Sequence, residues 1–362
     1  MGIQSEPGRA AYASLGRSSP VRGAEPAGVA PPGAISRRRR AGRHLPWLLL
    51  SRVSPLRRAA LIAVAAFDVS EVVLLSIRGF ERHDSLALVL GSLVLLVLLA
   101  FELAEHAAAK RDHELSHEIA EWLLPHTPPS LDGVEVAFSN RMANHVGSDY
   151  FNVFPRLKEG AEHAHSVFIV SADVAGTGLQ GALLMATFQA SLRALADTRM
   201  PLRALASELN QWCWDRSLEG KHFTMAFLAD LDPQSGSLAY VSAGHQSPVV
   251  VRGKGEIERL DVAGFPLGAF ASSEYEVGRT VLGAEDTLVV FTDGVVNAVN
   301  NSQELFSEAR IIRVLNDSRG FTANETLNHL AMRVLSFCGS RKQDDDFTFV
   351  VVRKLSRGNG TR

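Results

Sequence analysis

The chain has 362 residues, 46% of them hydrophobic, so length and composition allow one large domain or two ordinary ones with a sizeable core. Its net charge of −2 hides an asymmetry: residues 1–58 hold eleven Arg, no Lys and two acids, a surplus of +9 that leaves −11 for the rest. Two cysteines, Cys213 and Cys338, lack metal-ligand spacing, and nothing suggests a disulfide framework.

Residues 1–45 are rich in Gly, Pro, Ala, Ser and Arg without periodicity and read as disordered. The RRRR at 37–40 stands just before apolar sequence, which suits a cytoplasmic membrane flank better than a nucleic-acid arm, so no nucleic-acid partner is expected. Within a membrane region over 46–104, two transmembrane helices are expected, 59–77 and 85–104. The second begins with the uncharged SLALVLGSLVLLVLLAF, at the short end of the ~17–25 residues a span needs. The first carries Asp68 and Glu71, which serve a function, face a partner helix, or mark a segment lying partly in the interface. Arg52, Arg57 and Arg58 before the pair and Lys110 and Arg111 after it predict a hairpin with both ends cytoplasmic.

A linker helix is expected over 105–125, continuous with the second span and ended by Pro125. Phe101, Ala104, Ala108, Leu115, Ile119 and Trp122 recur at spacings of three, four or seven. That stripe suits a homodimer seam or packing on the following domain equally well.

From about residue 130 short strand-like runs appear: VEVAF, HSVFIVSAD, HFTMAFLADLD, SLAYVSAG, PVVVR, DTLVVFTDG and DFTFVVVRKL. Helical patterns lie at 179–197, 201–218 and 322–338, and DPQSG at 232–236 reads as a hairpin turn. Strands cluster in neighbouring pairs, which predicts an α+β fold with antiparallel sheets. The domain is placed at 126–356, with a disordered tail at 357–362.

GTGLQG, residues 176–181, is formally a dinucleotide-binding G-x-G-x-x-G. That reading needs a second strand ending in an acid about 20 residues on, and the sequence there, MPLRALASELNQWCWD, has helical spacing instead. The acids at strand ends say more. Asp173 ends VFIVSAD, Asp293 ends LVVFTD, Asp345 and Asp346 begin DDFTFVVV, and Asp149 precedes YFNVF. Carboxylates converging from several strands suit Mg²⁺ or Mn²⁺. Any single one is more often a turn former or helix cap. The pairs His163/His165 and His113/His117 read as polar surface.

The stretch HEIAEWLLPHTPPSLDGVEVAFSNRMANHVGSDYFNVF resembles the entry to bacterial metal-dependent serine/threonine phosphatases of the sporulation stage II protein E type, in the protein phosphatase 2C superfamily. ADVAGTGLQGALLMATFQA, FLADLDPQSGSLAYVSAGHQSP, GFPLGAF, FTDGVVNA and DDDFTFVVV continue the likeness in family order over roughly residues 115–355. The resemblance implies a four-layer αββα sandwich of two antiparallel sheets flanked by helices, and a centre for two Mn²⁺ or Mg²⁺ ions. It makes Asp173 the ligand bridging both ions, with the Val174 carbonyl as an additional ligand. Asp293 and Asp345 would hold one ion and Asp149 the other, directly or through water. Asp346 can exchange with Asp345, because the DDD run leaves the register open by one. Asp173 and Asp293 would be the catalytic residues. The implied substrate is a phosphoserine or phosphothreonine on a partner-switching regulatory protein of the anti-sigma-factor antagonist type. The implied location is the inner membrane of a bacterium, with the catalytic domain in the cytoplasm.

The chain departs from the family pattern at four positions. Ser148 follows Gly147 where a second Gly is usual, Asn152 and Asn297 stand where Asp and Glu are common, and Thr177 stands where some relatives have His. Two rival readings follow: a membrane-tethered pseudophosphatase acting as a binding module, and a nucleotide-binding membrane enzyme.

Overall fold

The computed structural model describes residues 55–78, 82–142, 148–157, 165–176, 178–217, 220–343 and 345–356. The expectations for 1–45, 357–362, Gly147, His163 and Thr177 lie outside the described residues. The chain divides into two compact units, Met1–Leu98 and Leu99–Arg362.

The first unit holds α1 (Pro55–Arg78) and the first part of α2 (Arg82–Leu123). Among the described residues one helical stretch is long and apolar enough, by length and composition, to cross a membrane: Val89–Leu123, which contains an 18-residue window of mean hydropathy 1.9. The expected span 59–77 is helical, within α1, but does not join it in that class. Asp68 lies against Gly91 of α2, where an added Cβ would come within 2.0 Å of its Oδ1. The acid therefore faces a partner helix.

The second unit begins within α2, a single 42-residue helix, about 63 Å long at ~1.5 Å per residue. Its last turns are built into the domain: Ser116, Ala120 and Leu123 are buried, and the Leu123 carbonyl accepts from Gln189 Nε2 at 3.3 Å. The expected stripe is thus misplaced by part of a turn, because Trp122 is 81% exposed.

Two five-stranded antiparallel sheets follow. The first has the order β1 (Val134–Arg141), β10 (Phe347–Lys354), β9 (Thr287–Phe291), β6 (Val249–Val251), β7 (Ile257–Arg259). The second has the order β2 (Asp149–Leu157), β3 (His165–Val174), β4 (Thr224–Leu231), β5 (Ser237–Ala243), β8 (Gly278–Val281). Helices α3 (Gly178–Ala196) and α4 (Leu202–Trp214) pack on the second sheet. After the single-turn α5 (Asp293–Val296), α6 (Ser307–Asp317) and α7 (Ala323–Cys338) form the layer outside the first sheet, with α7 packed on β1 and β10. This is the four-layer sandwich. β3 and β10 carry the apolar runs VFIV (167–170) and FVVV (349–352) because each is an inner strand, covered on both faces. Phe138 of β1 and Phe151 of β2 meet between the sheets, ring centroids 5.1 Å apart.

The predicted turn at 232–236 joins β4 to β5. Asp232 Oδ1 accepts from the Gln234 amide, and Gly236 takes φ +79° with the Leu282 carbonyl where a Cβ would sit. Helix α7 starts in a capping box between Thr322 and Glu325. Helix α6 was not expected, although Ile311, Val314 and Leu315 carry a helical spacing onto the core.

Candidate metal centre

Asp149 opens β2 and Asp173 stands opposite it near the end of β3, as partners in the antiparallel ladder. Both β2 and β4 pair with β3 in antiparallel sense, so GTGLQG does not sit in a parallel βαβ unit and the dinucleotide reading is excluded. Gly176 and Gly181 instead pack on each other, since a Cβ on Gly181 would lie 2.8 Å from the Gly176 carbonyl oxygen. Gly178, at φ +62°, turns the chain into α3.

The first sheet brings its acids to the same end. Asp293 starts α5 directly after β9, and Asp345 and Asp346 precede β10, β9's ladder neighbour. Gly294 permits this approach: a Cβ there would lie 2.2 Å from the Asp346 carbonyl oxygen and 3.2 Å from the Asp345 Cβ and Cγ.

Threonines tie the two sheets together. Asp149 Oδ2 accepts from Thr292 Oγ1 at 2.9 Å and from Thr348 Oγ1 at 2.5 Å, and Asn140 Nδ2 donates to Thr348 Oγ1 at 2.7 Å. Asp173 Oδ1 accepts from Ser148 Oγ at 2.9 Å, and Asp345 Oδ1 from the Asp346 amide at 2.8 Å. Hydrogen bonds to a charged acceptor contribute about 1.5–3 kcal/mol each, against a burial cost of several kcal/mol per ion. For Asp149 the cost prevails: burial first, then the charges of Asp173 and Asp346, push its carboxyl well above the usual range. Burial, with the charges of Asp293, Asp345 and Asp346, raises Asp173 to about 6. Burial and Asp345 raise Asp293.

These mutual repulsions show five carboxylates sharing one end of the sandwich. The donor set is all oxygen and anionic, and divalent hard cations would relieve the repulsion. By that chemistry the residues fit such ions. Among the described residues no three acidic, His or Cys side chains converge as a finished ligand set. Asp149 is turned toward its threonines and Asp173 toward Ser148. Val174, the last residue of β3, is buried and its amide donates to the Ser148 carbonyl.

The two asparagines part company. Asn152 is buried and donates to Tyr150 Oη at 3.3 Å, on the face of β2 where Tyr150 meets Phe188 of α3. Asp149, three residues earlier, points to the opposite face, as strand alternation requires. Asn297 is exposed and closes the turn that Asp293 opens, its amide donating to the Asp293 carbonyl at 2.8 Å.

Sequence reasoning missed three polar residues: Thr292, Thr348 and His245. Each threonine adjoins or lies two residues from a candidate ligand, in FTDG and DDFT, which was the available signal. His245 is buried between the sheets, with Nε2 3.0 Å from Ser171 Oγ and Nδ1 2.7 Å from the Gln246 carbonyl, and burial lowers its pKa to about 4. Burial also pushes the Cys213 thiol up to about 12, so it does not supply a thiolate near neutral pH.

The stage II sporulation protein E family matches residues 163–355, more than half of the chain. Protein IcfG of Synechocystis sp. is 23% identical over 322 residues, 80% of this chain and 49% of that protein, so the chain spans about half of that relative's length. Phosphoserine phosphatase RsbU of Bacillus subtilis is 22% identical over 246 residues, 68% of this chain and 70% of that protein. The SiaA-PP2C domain of Pseudomonas aeruginosa superposes with a TM-score of 0.56 at 20% identity, covering 69% of this chain and 98% of that one, a likeness of fold. By the family match over more than half of its length, the chain belongs to the stage II sporulation protein E family.

Proposed function

We infer that the protein is a metal-dependent phosphoprotein phosphatase that hydrolyses phosphoserine or phosphothreonine on a partner-switching regulator of the anti-sigma-factor antagonist type. The observation that carries this reading is the gathering of Asp149, Asp173, Asp293, Asp345 and Asp346 where the two sheets end together. Two Mn²⁺ or Mg²⁺ ions would be held by Asp173, Asp149, Asp293 and Asp345, with the Val174 carbonyl as an additional ligand. Asp345 is favoured over Asp346 as ligand because it lies against Gly294 and its charge is the one that raises Asp293.

When bound, such ions neutralise phosphoryl oxygens and acidify water for attack on phosphorus. The chain's own groups do the positioning. Thr292 and Thr348 hold Asp149, Ser148 holds Asp173, and the positive N-terminus of α3 begins at the same end, where it favours a phosphoryl anion. The raised Cys213 thiol argues against a cysteinyl-phosphate route. The apolar stretch in α2 would serve as a membrane anchor, and the basic residues flanking the spans, Arg52, Arg57, Arg58, Lys110 and Arg111, would keep the catalytic unit in the cytoplasm, while the linker helix would offer a homodimer contact.

The second reading, a pseudophosphatase that binds without hydrolysing, is favoured by the uncharged Asn297 next to the acidic cluster. Hydrolysis of p-nitrophenyl phosphate by the full chain, with and without Mn²⁺ or Mg²⁺, decides between them. Turnover that chelation abolishes supports the enzyme, and none at any metal concentration supports the binding module.

A further inference from the structure

Next to the acidic cluster lies a cleft of the opposite charge. It has a volume of about 380 Å³ and is lined by Arg141, Cys338, Arg341, Lys342, Gln343 and Asp345, among others. Arg141 closes β1, opposite Phe347 at the start of β10. Arg341 and Lys342 follow the end of α7, where Gly339, at φ +60°, turns the chain. Asp345 is common to the cleft and the candidate metal centre, so the two adjoin.

Among the described residues none of these three cations has a carboxylate within ion-pair distance, and Arg341 Nε is buried with no acceptor. Other arginines of this domain are engaged: Arg156 with Asp230, Arg252 with Asp286 and Glu258. A buried guanidinium nitrogen without an acceptor is costly, and a planar donor fork matches a carboxylate in two-point fashion. Arg341 and Lys342 line an open space large enough for an acidic side chain.

We propose that this cleft is a substrate subsite, which takes an acidic residue flanking the phosphorylated serine or threonine of the protein substrate. It rests on the phosphatase reading above and deepens it. The phosphoryl group belongs among Asp173, Asp293 and Asp345, and a chain continuing past Asp345 meets Arg341 and Lys342 next. The arrangement gives selectivity without altering the reaction: an acid-flanked phosphopeptide gains pairing in the cleft, while a neutral one leaves the cations solvated.

The test uses the full chain and three substrates: p-nitrophenyl phosphate, a phosphoserine peptide with flanking Asp and Glu, and the same peptide with Asn and Gln in their place. Expected is a kcat/KM ratio of about tenfold or more for the acidic over the neutral peptide, shrinking as NaCl is raised. The ratio should fall toward one in the double variant Arg341→Gln/Lys342→Gln. A ratio near one in the unaltered chain, or one indifferent to salt, overturns the subsite while leaving the phosphatase reading in place. That measurement needs no variant to fold. A ratio untouched in the double variant also overturns it. Failure of the unaltered chain to hydrolyse p-nitrophenyl phosphate at any metal concentration removes the phosphatase reading, and this subsite with it.

Discussion

Asp149 and Asp173 face each other across the β2–β3 ladder, at the end where Thr292 and Thr348 of the opposite sheet reach Asp149. Two carboxylates so placed weaken the fold when both are ionised. Asp173 binds its proton more tightly folded than unfolded, so this stabilisation is present below the ordinary value of 3.8 and lost as pH rises through about 6. In chelator at pH 7.5, Asp173→Asn should therefore raise stability by on the order of 1–2 kcal/mol, about 2–4 °C in Tm per kcal/mol. Mn²⁺ should raise the Tm of the unaltered chain and leave that of the variant nearly unmoved. A variant less stable than its parent in chelator would show that the carboxylates do not repel.

His245 acts in the opposite sense. Burial holds its folded pKa near 4, below the ordinary 6.5, so the stability it contributes is present above pH 6.5 and is lost as pH falls through about 4. His245→Asn should be less stable at pH 7.5 by about 1–3 kcal/mol, through the Ser171 and Gln246 contacts. The gap should close toward pH 4.5 in denaturant titrations. A gap constant across that range would mean the ring is not buried neutral.

The asparagines should answer differently to restored charge. Asn297→Glu adds an anion at the exposed end of the turn that Asp293 opens and should lower the Mn²⁺ concentration for half-maximal activity. Asn152→Asp puts a charge beside Tyr150 under α3, away from Asp149. It should cost about 1–3 kcal/mol and leave the metal titration unchanged. Tighter metal binding in Asn152→Asp would contradict this strand geometry.

The acids were legible because each ends or begins an apolar run, and the antiparallel class because strand runs such as HFTMAFLADLD and SLAYVSAG adjoin with only a turn between. Family likeness, not spacing, supplied the pairing of the two sheets. What escaped reading depends on faces. Asn152 lies three residues from Asp149 in sequence and on the far side of the strand in space. Trp122 shares the spacing of the linker stripe and is exposed, because Ser116, Ala120 and Leu123 take the buried face. Short β7 and β8 carry too few residues for a pattern, and Thr292 and Thr348 gain their role only when β9 and β10 lie side by side.

The unbroken α2 gives a test of whether the anchor is passive. Inserting two alanines after Lys110 turns one end relative to the other by about 200°, and inserting seven nearly restores the face. With Ala120 and Leu123 fixed in the core, the two-residue insertion should change membrane-assayed activity more than the seven-residue one. Equal activity of both insertions and the unaltered chain would leave α2 as a tether alone.

The most direct measurement is hydrolysis of p-nitrophenyl phosphate by the purified full chain and by Asp173→Asn, across a Mn²⁺ titration. The expected result is metal-dependent turnover by the unaltered chain and a loss of more than tenfold, above ~1.4 kcal/mol in barrier, in the folded variant. Asp293→Asn should be nearly as severe. Retention of more than about a tenth of the parental rate by folded Asp173→Asn at saturating Mn²⁺ would contradict the assignment of Asp173 to the centre of the metal site.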